Sequence, residues 1–156
     1  AGPEGGPEGL FVQRHVEGRG ETVAFVAHSG KLLGTVAMIK RVATENGKVW
    51  TADLLSIPPQ LDALLRQFVA ETNWTGGGEL ELIRDERDML WLIEINPRFP
   101  AWIYGAALAG VNLPAILVAA ELGLELPRGT LKNQNFTRAV VEIPIVPDVS
   151  ALIHGR

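Results

Sequence analysis

The sequence contains no cysteine. That excludes a disulfide framework and thiolate chemistry, and it fits a cytoplasmic protein. A cationic surplus is also missing. The 14 Lys and Arg residues are scattered and outnumbered by 18 Asp and Glu, for a formal net charge of −4, so there is no basic footprint for nucleic acid. No apolar run reaches the length of a membrane span; the longest candidate, residues 113–122, is only helix-sized. No signal peptide is visible in the opening Ala1-Gly2-Pro3-Glu4-Gly5-Gly6-Pro7-Glu8-Gly9. That opening lacks an initiator Met as well, as expected of a chain processed, trimmed or excerpted from a longer one.

What is present is a globular composition. Apolar residues make up 47% of 156, enough for a real core in one domain or in one large lobe of a bigger unit. Residues 1–9, all Gly, Pro and Glu after Ala1, have nothing to bury and read as a flexible segment; residues 10–156 form the folded unit. Strands are expected over 10–16, 21–28, 31–42 and 49–54. The turns between them are Glu17-Gly18-Arg19-Gly20, Ser29-Gly30 and Glu45-Asn46-Gly47-Lys48, giving a four-strand antiparallel meander. Ser56 is placed to cap a helix opened by Pro58-Pro59, with Leu61, Leu64, Leu65, Phe68 and Val69 as its apolar stripe. Residues 101–109 read as a short helix or irregular segment ending at Gly110. Asn112 caps a further helix with Pro114 in its first turn and Gly123 as its stop, and residues 136–146 alternate as a late strand before Pro147. Strands at both ends with helices between them point to an α+β fold, an antiparallel sheet with flanking helices.

The most informative stretch is Leu92-Ile93-Glu94-Ile95-Asn96-Pro97-Arg98-Phe99-Pro100. Side chains alternate along a strand, so Glu94, Asn96 and Arg98 share a face if the strand continues that far. A carboxylate and an amide oxygen are hard ligands suited to Mg²⁺, and an arginine beside them holds a phosphate in its planar fork. Just before it, Gly78-Glu79-Leu80-Glu81-Leu82-Ile83 alternates acidic and apolar residues, and Arg84-Asp85-Glu86-Arg87-Asp88 is a polar turn, so the two runs form a hairpin. With residues 86–89 as the loop, Glu81 falls opposite Glu94, and Leu80 and Leu82 share the buried face with Trp91, Ile93 and Ile95. Two facing carboxylates repel, and a divalent cation between them removes the penalty. A solvated polar face on a half-buried hairpin is the alternative.

With the hairpin, the Glu-x-Asn-x-Arg strand and the preceding meander, residues 10–125 resemble the C-terminal lobe of the ATP-grasp superfamily. The likeness is nearest to its carbamoyl-phosphate-synthetase-like and biotin-carboxylase-like carboxylate–amine ligases. The resemblance implies that Glu81, Glu94 and Asn96 hold Mg²⁺ (or Mn²⁺) and that Arg98 contacts the nucleotide phosphates or the acyl phosphate. It implies that Gln13-Arg14-His15-Val16 is the hinge strand whose main chain reads adenine, chiefly at Arg14 and Val16, and that Glu21 binds the ribose. Gln13 and Glu21 are otherwise ordinary exposed strand-end residues. Lys40 and Arg41 either face the cleft and hold a substrate anion or are solvated strand-end charges. His15 and His28 read as structural, and Trp91 and Trp102 as core or cleft wall.

The expected activity is an ATP- and Mg²⁺-dependent ligase that activates a carboxylate as an acyl phosphate for attack by an amine or similar nucleophile. Its partners are small-molecule carboxylate and amine substrates, with neither nucleic acid nor membrane. The family's preceding lobe, with its lysines and Gly-rich loop over the triphosphate, has no counterpart upstream of Leu10, so that lobe is expected in cis or from a partner chain. A non-catalytic assembly or regulatory module is the competing reading.

Overall fold

The computed structural model describes residues 12–43, 49–132 and 134–137. Among them lie strands β1 (Arg19–His28), β2 (Lys31–Ala43), β3 (Val49–Leu55), β4 (Gly76–Arg84), β5 (Leu90–Asn96) and β6 (Gln134–Thr137), and helices α1 (Pro59–Glu71), α2 (Ile103–Leu108) and α3 (Leu113–Glu121). The strands form a single sheet in the order β5-β4-β1-β2-β3-β6, with every adjacent pair antiparallel. The fold class is the expected one. No helix among the described residues is long and apolar enough to cross a membrane.

β1 is central, and seven of its ten residues are buried. It pairs with β2 through a turn in which Ser29 and Gly30 both have positive φ (47° and 73°), the geometry that suits the right-handed twist of a hairpin. Alternation sends Val23, Phe25 and Ala27 to one face, where they meet Leu61, Leu65 and Val69 of α1 together with Leu80 and Leu82 of β4. Ala24 and Val26 go to the other, where Val36, Met38 and Leu54 pack against Trp102, Ala106, Leu113 and Ile116 from α2, α3 and the segment before them. The sheet therefore has helices on both faces: α2 and α3 pack on the core residues of β1–β3, and α3 also reaches β4.

Three expectations are corrected. Residues 12–17 form no strand; both sides of β1 are already occupied by β2 and β4, Val12 is 93% exposed, and Val16 is the one residue of the stretch that is half-buried. The meander accordingly has three consecutive strands, and residues 10–11 and the turn at 45–48 lie outside the described residues. Ser56 does not cap α1. The N-cap position is Pro58, without a side-chain cap bond, because the two prolines preset the helical entry and Pro58 O already accepts from Asp62 N at 3.0 Å. Third, the α1 stripe is narrower than its periodicity implies: Leu61, Leu65 and Val69 are buried, but Leu64 is 64% exposed. Asn112 does cap α3, its Oδ1 accepting from Ala115 N at 3.1 Å, and Gly123 follows with φ 64°. Of the late strand expected over 136–146, residues 136–137 belong to β6, which starts two residues earlier at Gln134 and pairs with β3, and 138–146 lie outside the described residues.

Candidate functional site

The β4–β5 hairpin places Glu81 directly opposite Glu94, Glu79 opposite Asn96, and Leu80 opposite Ile95. Cβ atoms of such facing pairs stand about 5 Å apart. The expected register holds here for a reason the sequence does not display. The turn spans 85–89, one residue more than expected, and a bulge between Glu81 and Leu82 restores the pairing by leaving Ile93 without a partner. On the turn side of the bulge Leu82 faces Leu92 and Ile83 faces Trp91. This overturns the expectation that Trp91 shares the buried face with Leu80 and Leu82: Leu92 takes that place, and Trp91 joins Ile83, Glu81 and Glu94 on the open face.

Two residues of the turn side fix Trp91. Its indole Nε1 donates to Asp85 Oδ2 at 2.8 Å, and the Arg14 guanidinium lies 5.9 Å from the ring centroid, within cation–π range. Asp85 Oδ1 also accepts from the main-chain N–H groups of Arg87 and Met89, both at 2.9 Å. The Trp91 indole first, then the Met89 N–H, hold the Asp85 carboxyl below the usual range. Arg14, His15, Val16, Glu17 and Trp91, with the turn at 85–87, enclose a cavity of about 480 Å³. Gln13 is exposed and is not part of its wall. His15, expected on a strand, is an exposed cavity residue instead.

At the other end β5 stops at Asn96, because Pro97 has no N–H to continue the ladder and Arg98 N turns back to Asn96 O at 2.9 Å. The strand does not carry Arg98 onto the face. Gly77 does so indirectly: a Cβ there would lie 2.6 Å from the Phe99 ring, so its absence lets Phe99 pack down onto β4 and draws residues 97–102 back over the strand. Arg98 Nη1 then donates to Glu79 Oε2 at 3.0 Å and Trp102 Nε1 to Glu79 Oε1 at 3.3 Å. Burial pushes the Glu79 carboxyl above its ordinary value, against the Trp102 hydrogen bond; Glu81's charge adds to the rise and Arg98 opposes it.

The remaining sequence candidates separate. Glu21 lies opposite Leu82, on the α1 side of the sheet away from Glu81 and Glu94, and is bound by Arg84 (2.6 Å) and Arg19 (2.6 Å). Burial acts to raise its carboxyl, but the Arg84 and Arg19 hydrogen bonds outweigh it and hold the group low. Arg41 is paired with Asp53 on the neighbouring strand. Lys40, two residues from Met38, is on the same face as Glu81 by alternation. His28 sits 3.5 Å from Glu121. Glu79 and Asp85 are the residues the sequence reading missed. Glu79 was in phase with Glu81, two positions before it; the bulge that exposes Trp91 left no signal.

Among the described residues, Glu21, Asp53, Asp62 and Glu79 each have an arginine partner, whereas no ion pair reaches Glu81 or Glu94. No group of three or more His, Cys, Asp or Glu side chains gathers around a common point among them, so the candidate donors are two carboxylates and the Asn96 amide oxygen. A larger cavity of about 690 Å³ lies on the opposite face between α1 and the hairpin. Its walls are mostly apolar, among them Leu61, Leu64, Phe68, Leu82 and Leu92, and the arginine on its rim, Arg84, is already bonded to Glu21 and Asp88.

No protein-family model matches the sequence, and no curated protein matches it. Solved structures do match. The phosphoribosylaminoimidazole carboxylase ATPase subunit from Aquifex aeolicus aligns with a TM-score of 0.62 at 11% identity, over 86% of this chain and 45% of that one. The N5-carboxyaminoimidazole synthetase from Staphylococcus aureus, complexed with ADP, gives 0.59 at 14% identity over 82% and 36%. The biotin carboxylase domain of the Hydrogenobacter thermophilus 2-oxoglutarate carboxylase, in complex with MgADP and bicarbonate, gives 0.56 at 17% identity over 73% and 27%. The chain spans less than half the length of each. Across most of its length, then, its fold is that of the ATP-grasp enzymes, built on a six-stranded antiparallel sheet.

Proposed function

We propose that the open face of β4–β5 is one wall of an ATP- and Mg²⁺-dependent ligase site, which activates a carboxylate as an acyl phosphate for attack by an amine or similar nucleophile. The observation that carries this reading is the facing pair Glu81 and Glu94. The buried acids nearby, Glu21 and Glu79, each have an arginine; half-buried Glu81 and exposed Glu94 form no ion pair among the described residues. Facing like charges are destabilising unless a cation lies between them.

Arg98 and Asn96, then Glu81 and Glu94, then Ile83 and Trp91 follow one another along the face, with the cavity walled by residues 14–17 beyond. From Asn96 to Trp91 is on the order of 15 Å at about 3.3 Å per residue, the reach of an extended nucleoside triphosphate. Mg²⁺ would be held by Glu81, Glu94 and the Asn96 amide oxygen, where it would neutralise phosphate charge. Arg98 turns its guanidinium to the phosphates, as expected of a fork that matches their oxygens. Trp91 offers a ring for the base, and the main chain of Arg14 and Val16, free of any sheet ladder, offers hydrogen bonds to its edge. Solved structures of the same fold that hold ADP, one of them with magnesium, support the choice of ligand. Lys40, on the same face, is placed to hold the carboxylate substrate. Glu21, on the far face, supports the sheet through Arg84 rather than joining this row.

The wall is open, and a second lobe, in cis or from a partner chain, closes over the phosphates. Without it the charges stay in water, where two unit charges at ~4 Å interact by about 1 kcal/mol. Calorimetric titration of the 156-residue chain with Mg²⁺–ATP should therefore give weak binding that salt abolishes. Low-micromolar affinity would refute the two-lobe account. No Mg²⁺-dependent effect of ATP or ADP, even in a protein carrying both lobes, would favour the non-catalytic module.

A further inference from the structure

We infer that Glu79 is the positioning residue for Arg98: one buried carboxylate ties the guanidinium and the Trp102 indole to β4, and so fixes the phosphate-binding edge of Arg98 before any ligand arrives. The inference rests on the nucleotide reading above and adds to it a residue that touches neither metal nor nucleotide.

The geometry divides the guanidinium in two. Nη1 makes both hydrogen bonds of the group, to Glu79 Oε2 at 3.0 Å and to the Phe99 carbonyl at 3.4 Å. The Nε–Nη2 edge bonds no described residue, and the side chain is 58% exposed. That edge carries two parallel N–H donors, the pair a phosphate accepts in bidentate fashion. An arginine on a chain that has left its strand is otherwise free to sample many rotamers, and fixing a long side chain costs about a 3- to 10-fold loss of affinity when it occurs on binding.

Glu79 is suited to bear that ordering in the unliganded protein. It is 5% exposed, and its other oxygen takes the indole N–H of Trp102, itself in the core. Trp102 anchors the segment to α2, and Gly77 admits Phe99 from the same loop. The carboxylate thus sits between a rigid strand and a loop held at two further points. Its position opposite Asn96 sets Arg98 beside the last of the candidate metal ligands.

The test is a double-mutant cycle in the full chain, using Glu79→Gln, Arg98→Met and the pair, read by NMR titration with Mg²⁺–ATP and with Mg²⁺ alone. Glu79→Gln removes a negative charge near an anion site, so electrostatics alone would tighten ATP binding. Positioning predicts the opposite: about 3- to 10-fold weaker binding, no change for Mg²⁺ alone, and no further effect of Glu79→Gln once Arg98 is Met. The Arg98 Nε–H signal should be sharp in the unliganded wild-type chain and broaden in Glu79→Gln. Unchanged or tighter ATP binding in Glu79→Gln, or an equal loss in the Arg98→Met background, overturns the inference. Should Glu79→Gln fail to fold, Trp102→Phe keeps the core apolar and Glu79 charged; Arg98 order and ATP binding must then persist, and their loss overturns the inference. Absence of any Mg²⁺–ATP effect both in the wild-type chain and in a protein carrying both lobes is a separate result, which refutes the nucleotide reading itself and this inference with it.

Discussion

At the scale of single residues, charge pairing separates Glu21 and Glu79, each held by an arginine, from Glu81 and Glu94, which form no ion pair among the described residues. Glu94→Gln keeps shape and removes one of two facing charges, so the chain without ligand should be as stable as wild type or gain ~0.2–1 kcal/mol, a few degrees in Tm at most. The stabilisation by Mg²⁺ should vanish. Thermal unfolding with and without Mg²⁺ measures both, and a large loss of unliganded stability would make Glu94 structural. Glu21 behaves in the other sense. Its carboxyl is held below the ordinary value, so its contribution is present above the unfolded value of 4.5 and is lost as pH falls through the lower folded value. Arg84→Met should flatten the acid limb of the stability–pH curve below about pH 4.5 without altering any Mg²⁺ effect; a change confined to neutral pH would refute the assignment. The facing of Glu81 and Glu94 was legible in the sequence because it needed only alternation and a turn. Glu79 was visible as one more acid in phase, but its two partners come from a loop folded back over β4 by a glycine, a tertiary fact that no local pattern carries.

At the scale of elements, the hairpin is a regular ladder interrupted once, and the interruption decides what faces the site. Ile93 is the residue without a partner, so deleting it leaves every observed pair in place and keeps Trp91, Glu94 and Asn96 on the open face. The Ile93-deletion chain should unfold cooperatively and retain its response to Mg²⁺. Deleting Ile95 instead removes the partner of Leu80 and turns Asn96 towards the α1 side, so the Mg²⁺ response should be lost. Equal behaviour of the two deletions would refute the register. β1, β2, α1 and the capped α3 could be read from periodicity and from Ser29-Gly30, Pro58-Pro59 and Asn112, whose local chemistry agrees with the fold. Residues 12–16, expected as a strand, form none, since β2 and β4 already occupy both sides of β1. Trp91 was assigned to the wrong face for a kindred reason: a bulge is a mismatch between turn length and register, and neither is visible in composition.

At the scale of the whole molecule, the helices α2 and α3 pack on one sheet face over β1–β3 and α3 reaches β4, and half-buried Glu81 and exposed Glu94 lie on that same face. The chain covers 45% and 36% of two solved structures that share this fold, which agrees with the proposed two-lobe site. Net charge adds to the weakness expected of the wall alone, because a chain at −4 repels a nucleotide until a cation intervenes. The most direct measurement of the central claim uses Mn²⁺ in place of Mg²⁺ as a paramagnetic probe on the ¹⁵N-labelled chain, with ATP present. The account predicts line broadening centred on residues 79–81 and 94–96, reaching the indole of Trp91 more weakly and abolished by Glu81→Gln together with Glu94→Gln. Broadening centred elsewhere, or unchanged in the double variant, would contradict it.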